Sequence, residues 1–207
     1  MFQPKRKSVF SDSVFFNEIC FFQHESDTSG DWVELYNHSK KDIDISGWVF
    51  TDGKYKDGFK IPAGTVLKSN GYVVVCEFAE RIKSAGSVSV GNMDFGLSKK
   101  GEKISLYDAE GFLIDSLSYM AYSKDLHGEE TFSLSLTHPD SSGSVTAWIN
   151  ENINPGESSF AYRNFLQSEA EKAYWTKALL IGGGGFFFML AVGLWYFRSF
   201  KKRLNKQ

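Results

Sequence analysis

The sequence has little cysteine and little proline. Its two cysteines, Cys20 and Cys76, stand in no CxxC pair and at no Cys/His zinc spacing. A disulfide-dense scaffold and a cysteine-held zinc domain are thereby excluded. Two buried free thiols are the plainer expectation; one disulfide between strands is the alternative, and it would need an oxidising compartment. Four prolines are too few for a proline-rich linker. Catalytic signatures are missing as well. No HExxH, GxSxG, Walker loop or GxGxxG occurs, and His24, His38, His127 and His138 sit in separate polar stretches. These histidines read as surface residues, and no cofactor is expected.

Negative charge is absent from the end of the chain. All 25 acidic residues precede position 178, whereas Arg198, Lys201, Lys202, Arg203 and Lys206 fall in the last ten positions. Removing those five from the 23 basic residues leaves 18 against 25, so residues 1–177 carry a formal charge of −7. An acidic body has no electrostatic reason to seek a phosphate backbone, and nucleic acid is not an expected partner.

What is abundant is aromatic and glycine content: 16% Phe, Trp and Tyr, with 19 Phe and 19 Gly. Aromatic and β-branched side chains suit pleated, half-buried surfaces. From Val14 onward short apolar runs alternate with turn chemistry: VFFNEICFF, WVELYN, IDISGWVF, FKI, TVL, YVVVCEF, KISLYD, FLIDSLSY and TFSLSL. Runs of this length, broken by Gly, Asp and Asn, predict an all-β sandwich or barrel. Asp108-Ala109-Glu110-Gly111 predicts a hairpin with Gly111 at positive φ, and Ser69-Asn70-Gly71 a similar turn before Tyr72. Residues 1–13 are polar and basic and are expected to be poorly ordered. SSFAYRNFLQSEAEKAYW predicts a short helix within a linker over residues 159–177.

Ala178–Phe197 is a run of twenty residues without a charge. A helix of about 20 residues spans the roughly 30 Å hydrocarbon layer of a bilayer. Tyr174 and Trp175 at one end, and Trp195 and Tyr196 at the other, form the expected interfacial belts. A single transmembrane helix over residues 178–197 and a basic tail over 198–207 are therefore predicted. Ala178, Gly182, Gly185, Met189 and Gly193 are its candidate packing residues, because small residues let helices approach closely. The bilayer is thus one expected partner, and a protein partner or second copy at this helix is another. The positive tail places the C-terminus in the cytoplasm and the domain outside. That topology ordinarily uses a signal peptide, and MFQPKRKSVFSDSVFF lacks the apolar stretch of one. A removed signal is the favoured resolution; a tail-anchored protein with a cytosolic domain is the alternative.

Taken in order, the motifs are similar to those of a known family. They run Asn17-Glu18-Ile19, Asp31-Trp32-Val33-Glu34-Leu35-Tyr36-Asn37, Asp44-Ile45-Ser46-Gly47-Trp48 and Phe59-Lys60-Ile61-Pro62 with Gly64. Asn70-Gly71-Tyr72-Val73-Val74, Phe95-Gly96-Leu97-Ser98, Gly101-Glu102-Lys103-Ile104-Ser105-Leu106, Ser133-Leu134, Trp148 and Asn154-Pro155-Gly156 follow. The series, over about residues 14–158, resembles the prokaryotic form of the lamin-tail domain, an immunoglobulin-like β-sandwich. The resemblance implies a recognition or scaffolding module rather than an enzyme. In lamins the domain is associated with protein, DNA and chromatin binding, so a membrane-tethered nucleic-acid binder is the alternative function. It also implies that Trp32, Val33, Leu35 and Trp48 point inward, that Gly47 permits a bend, and that Phe95 and Leu97 plug one end.

Candidate contact residues are Tyr55, Phe59, Tyr119 and Tyr122, read as exposed aromatics, with a place in the core as the equal alternative. Glu18 and Glu34 lie within apolar runs, and a buried carboxylate must be neutral, paired or bound to a cation. The plainer expectation is that both face solvent or bond nearby backbone; a catalytic or cation site is the alternative. Asp52, Asp57 and the Asp42/Asp44 pair could feed a calcium loop, but they do not match the EF-hand pattern. Asn37-His38-Ser39 is a glycosylation sequon by sequence, read as incidental.

Overall fold

The computed structural model describes residues 5–22, 28–53, 58–82, 87–120, 132–136, 148–151, 163–174 and 176. Contacts divide the chain into two units, Met1–Arg163 and Asn164–Gln207.

The first unit is built from strands, as the short apolar runs require. They are β1 (Lys5–Lys7), β2 (Val14–Phe22), β3 (Trp32–Asn37), β4 (Ile43–Asp44), β5 (Val49–Thr51), β6 (Phe59–Lys60), β7 (Val66–Leu67), β8 (Tyr72–Cys76), β9 (Val88–Val90), β10 (Gly101–Tyr107), β11 (Phe112–Met120), β12 (Phe132–Leu136) and β13 (Trp148–Glu151). Five strands form one sheet in the order β1-β11-β10-β5-β6; six form another in the order β13-β12-β2-β3-β8-β9; β4 and β7 pair separately. Phe16, Ile19, Val33, Leu35, Val73 and Val75 of the larger sheet share one buried cluster with Phe50, Ile104, Leu106, Ile114 and Leu117 of the smaller. Two sheets joined face to face by such a core make a β-sandwich, with sheets about 10 Å apart. Phe95 and Leu97 join that core, Phe95 stacking on Phe50 at 5.8 Å.

Three local expectations are refined. The 108–111 hairpin forms, with Gly111 at φ 83° and Phe112 N–H donating to Asp108 Oδ1 at 2.7 Å. At Ser69-Asn70-Gly71 the left-handed residue is Asn70, φ 52°, not the glycine. Gly71 is needed for space instead, since a Cβ there would lie 3.0 Å from Lys68 Cβ and 3.1 Å from Lys68 O. The turn also joins strands of different sheets, so it closes no hairpin. Residues 5–13 belong to the sandwich rather than to a loose basic leader. Strand β1 pairs in parallel with β11, Ser8 N–H donates to Leu113 O at 2.8 Å, and Phe10 packs on Trp48 at 5.4 Å. Apolar Phe10, not the lysines, explains this order.

In the second unit, residues 164–174 and 176 are helical, as predicted, with a Lys172–Glu169 ion pair at 2.7 Å on its surface. Among the described residues no helix is long and apolar enough to cross a membrane. The predicted span, with Ala178, Gly182, Gly185, Met189 and Gly193, lies outside the described residues.

Candidate functional site

Among the described residues, β2 and β3 of the six-stranded sheet are buried on both faces. Its inner face meets the smaller sheet. Its outer face carries Cys20, Trp32, Val74 and Cys76 in one apolar cluster, and Phe15, Tyr36 and Leu136 in another. Trp32 therefore points away from Val33 and Leu35, as a period of two demands, and it is not an inward residue of the main core. Ala79 and Ile82, from the short 3-10 turn Ala79–Arg81 and its successor, pack against the first cluster.

Register arranges this outer face in rows across the strands. One row is Cys20–Trp32–Cys76 and another is Phe15–Tyr36–Tyr72. Between them runs Ser135–Glu18–Glu34–Val74. Glu18 and Glu34, expected to face solvent or bond nearby backbone, are directly opposed on neighbouring strands and 0% exposed. A β-bulge is responsible. Phe16 pairs with Leu35 and Glu18 with Glu34, which leaves Asn17 as the extra residue. Strict alternation would put Glu18 on the Phe16 face, inside the main core. The bulge turns it outward while keeping Ile19 and Phe21 inward.

Asn17 Nδ2 donates to Glu34 Oε1 at 2.8 Å, and Ser133 Oγ donates to Glu18 Oε1. Ser135 Oγ, on the residue opposite Glu18, is buried with no hydrogen-bond partner. Residues directly opposite in antiparallel strands stand on the same face with Cβ atoms about 5 Å apart. Like charges so placed repel, and burial raises the cost.

The remaining candidates separate. Tyr119 is 6% exposed, stacks on Phe21 at 4.5 Å and donates its hydroxyl to Glu102 at 2.9 Å. Burial and that bond push its phenol well above the usual range. It is a core residue, not a surface contact. Phe59 is half-buried and packs against the main core. Tyr55 and Tyr122 lie outside the described residues, as do His24, His127, His138 and Asp57. Asp42 and Asp44 are exposed and do not converge. Lys68 and Ser69 hold the first carboxyl low, and Ser46 the second. Among the described residues no group of three or more His, Cys, Asp or Glu is placed to hold a metal.

Neither Cys20 nor Cys76 forms a disulfide, and both are buried. Each pairs in register with Trp32, from opposite sides. Two strand spacings, roughly 9–10 Å, separate them. A disulfide needs Cα atoms within about 7 Å, so the two cannot bridge. Burial, with the Glu80 charge next, pushes the Cys76 thiol up to about 12. Asn37 is closed as well. Its buried amide donates to Lys41 O, Leu67 O and Lys68 O at 2.8, 3.1 and 3.0 Å, and its Oδ1 accepts from Ser39. The nitrogen a glycan would need is consumed in holding β3 to two loops.

The family model of the lamin tail domain matches residues 11–121, more than half of the 207 residues. The chain belongs to the lamin tail domain family. No curated protein matches it. The match ends well before residue 158, yet β12 and β13 of this lamin tail domain continue the larger sheet beyond β2. Ser133 and Ser135, which meet Glu18, thus lie outside the matched segment, whereas Asn17, Glu18 and Glu34 lie within it. No spacing in the sequence could have announced that contact, because Ser133 is 115 residues from Glu18.

Proposed function

We propose that this lamin tail domain is a membrane-anchored, non-enzymatic interaction or scaffolding module, exposed outside the cytoplasm, that binds a protein partner or a second copy of itself. The observation that carries it is the charge step along the chain. An acidic body is followed by twenty uncharged residues, Ala178–Phe197, and then by five positive charges. Length and aromatic ends suit a bilayer span, and the positive tail suits the cytoplasmic side. Ala178, Gly182, Gly185, Met189 and Gly193 supply the face for a neighbouring helix. The lamin tail domain is an immunoglobulin-like interaction module, and a sandwich carries such roles on its surface rather than in a catalytic cleft.

The test is protease treatment of intact cells making the full chain, followed by purification in mild detergent. Cleavage of the domain without lysis, and a dimer or complex that Gly182→Leu disperses, are expected. A domain protected until lysis refutes the orientation. A monomer without partners in detergent refutes the assembly. Retention on DNA at low salt would favour the nucleic-acid role instead.

A further inference from the structure

We infer that the helix over residues 164–174 lies flat on the bilayer surface with its apolar side in the headgroup layer, an inference that rests on the membrane-anchored reading and adds a second lipid contact to it. At about 100° per residue, Leu166, Ala170, Ala173 and Tyr174 fall within one arc of about 100°. Asn164, Gln167, Ser168 and Glu171 occupy the other side. The apolar side is open to solvent, with Leu166 46% and Tyr174 67% exposed. Glu169 at the edge of the arc is paired with Lys172 at 2.7 Å.

A helix of about three turns is marginal in water unless its apolar side is covered. Its place in the chain says what covers it. It ends just before Ala178, where the twenty uncharged residues begin, and Tyr174 and Trp175 form the aromatic belt at that end. A second copy is a poorer cover. On a helix continued at the same pitch, Ala178, Gly182, Gly185, Met189 and Gly193 fall about 100–180° from Leu166. Copies joined through those residues leave the Leu166 side open. An upright helix would also hold Leu166 in water, about 18 Å from Ala178. Laid flat, it brings the whole arc to the lipid. Arg163, Lys172 and Lys177 against Glu169 and Glu171 leave this stretch almost neutral, so the contact is apolar and needs no anionic lipid.

Depth measurement tests this on the full chain. One cysteine is introduced, Leu166→Cys on the apolar side or Asn164→Cys on the polar side, about 160° apart around the helix. Each variant is labelled there with nitrobenzoxadiazole in mild detergent and returned to phosphatidylcholine vesicles. The unaltered chain, whose Cys20 and Cys76 are buried, serves as the blank. Iodide in the water should quench the Asn164→Cys label about fivefold more strongly than the Leu166→Cys label, and a spin-labelled lipid should do the reverse. Ala170→Cys, which removes no large apolar side chain, should match Leu166→Cys. If all three labels answer alike to iodide and none to the lipid quencher, while the chain stays with the vesicles through alkaline washing, the helix stands in water. That result overturns the inference and leaves the anchor intact. Protection of Leu166→Cys from both quenchers means a second copy covers it, which overturns the inference too. A chain that alkaline washing strips from the vesicles overturns the anchor itself, and the flat helix with it.

Discussion

At β2 and β3 the two faces of the six-stranded sheet are both shut from solvent, but by different chemistry. The inner face is Phe16, Ile19, Val33, Leu35, Val73 and Val75, without a polar side chain among them. The outer face places Glu18, Glu34, Ser133 and Ser135 between a row with Trp32 and a row with Tyr36. Apolar burial is additive and tolerant of partner. A buried polar row is not, because each group depends on the others for its hydrogen bonds or charge balance. The inner face therefore secures the lamin tail fold, and the outer face is the more easily upset by a single substitution.

Four perturbations probe that division, taken from the largest effect downward. The Cys76 thiol, moved from 9.0 to about 12, has about a thousandfold less thiolate at neutral pH. Maleimide or disulfide reagents should label neither cysteine in the native protein and both in guanidinium; rapid native labelling would show the outer face open. On the inner face, Leu35→Ala should cost about 3–4 kcal/mol in urea unfolding, the usual range for a buried leucine. A cost below about 1 kcal/mol would mean that this face is not the core. At the end of β3, Asn37→Ala strands three backbone carbonyls and should cost about 2 kcal/mol.

The smallest effect concerns Asp115, which joins the sheets by accepting Phe16 N–H at 2.9 Å. Burial raises its carboxyl above 3.8 despite that bond and the one from Ser116. A raised folded value means that its favourable contribution is full below 3.8 and is lost as pH rises through the folded value. Asp115→Asn should therefore gain on the wild type between pH 4 and pH 7 in paired urea midpoints. A difference that does not change with pH would mean the carboxyl is not effectively buried.

Alternation made most strands legible in the sequence, and Asp108 with Gly111 made one hairpin legible. The outer face was not, for a physical reason. One bulge residue, Asn17, reverses which side every later residue of β2 occupies, and nothing in VFFNEICFF marks it. Register between β2, β3 and β12 then decides whether Glu18, Glu34 and Ser135 meet, and register arises from the whole sandwich. Tyr119 stayed open between surface and core because an aromatic at a strand end looks the same whether it stacks on Phe21 or faces water. Phe10 was hidden beside three basic residues, although its ring against Trp48 is what brings the start of the chain into the fold.

The most direct test of the coupled outer row is a double-mutant cycle on Glu18→Gln and Glu34→Gln, read by denaturant unfolding of the full chain in mild detergent. Like-charged neighbours predict an interaction energy of about 1 kcal/mol or more, the second substitution costing more than it does alone because the first has already relieved the repulsion. Additivity within about 0.5 kcal/mol would contradict the account.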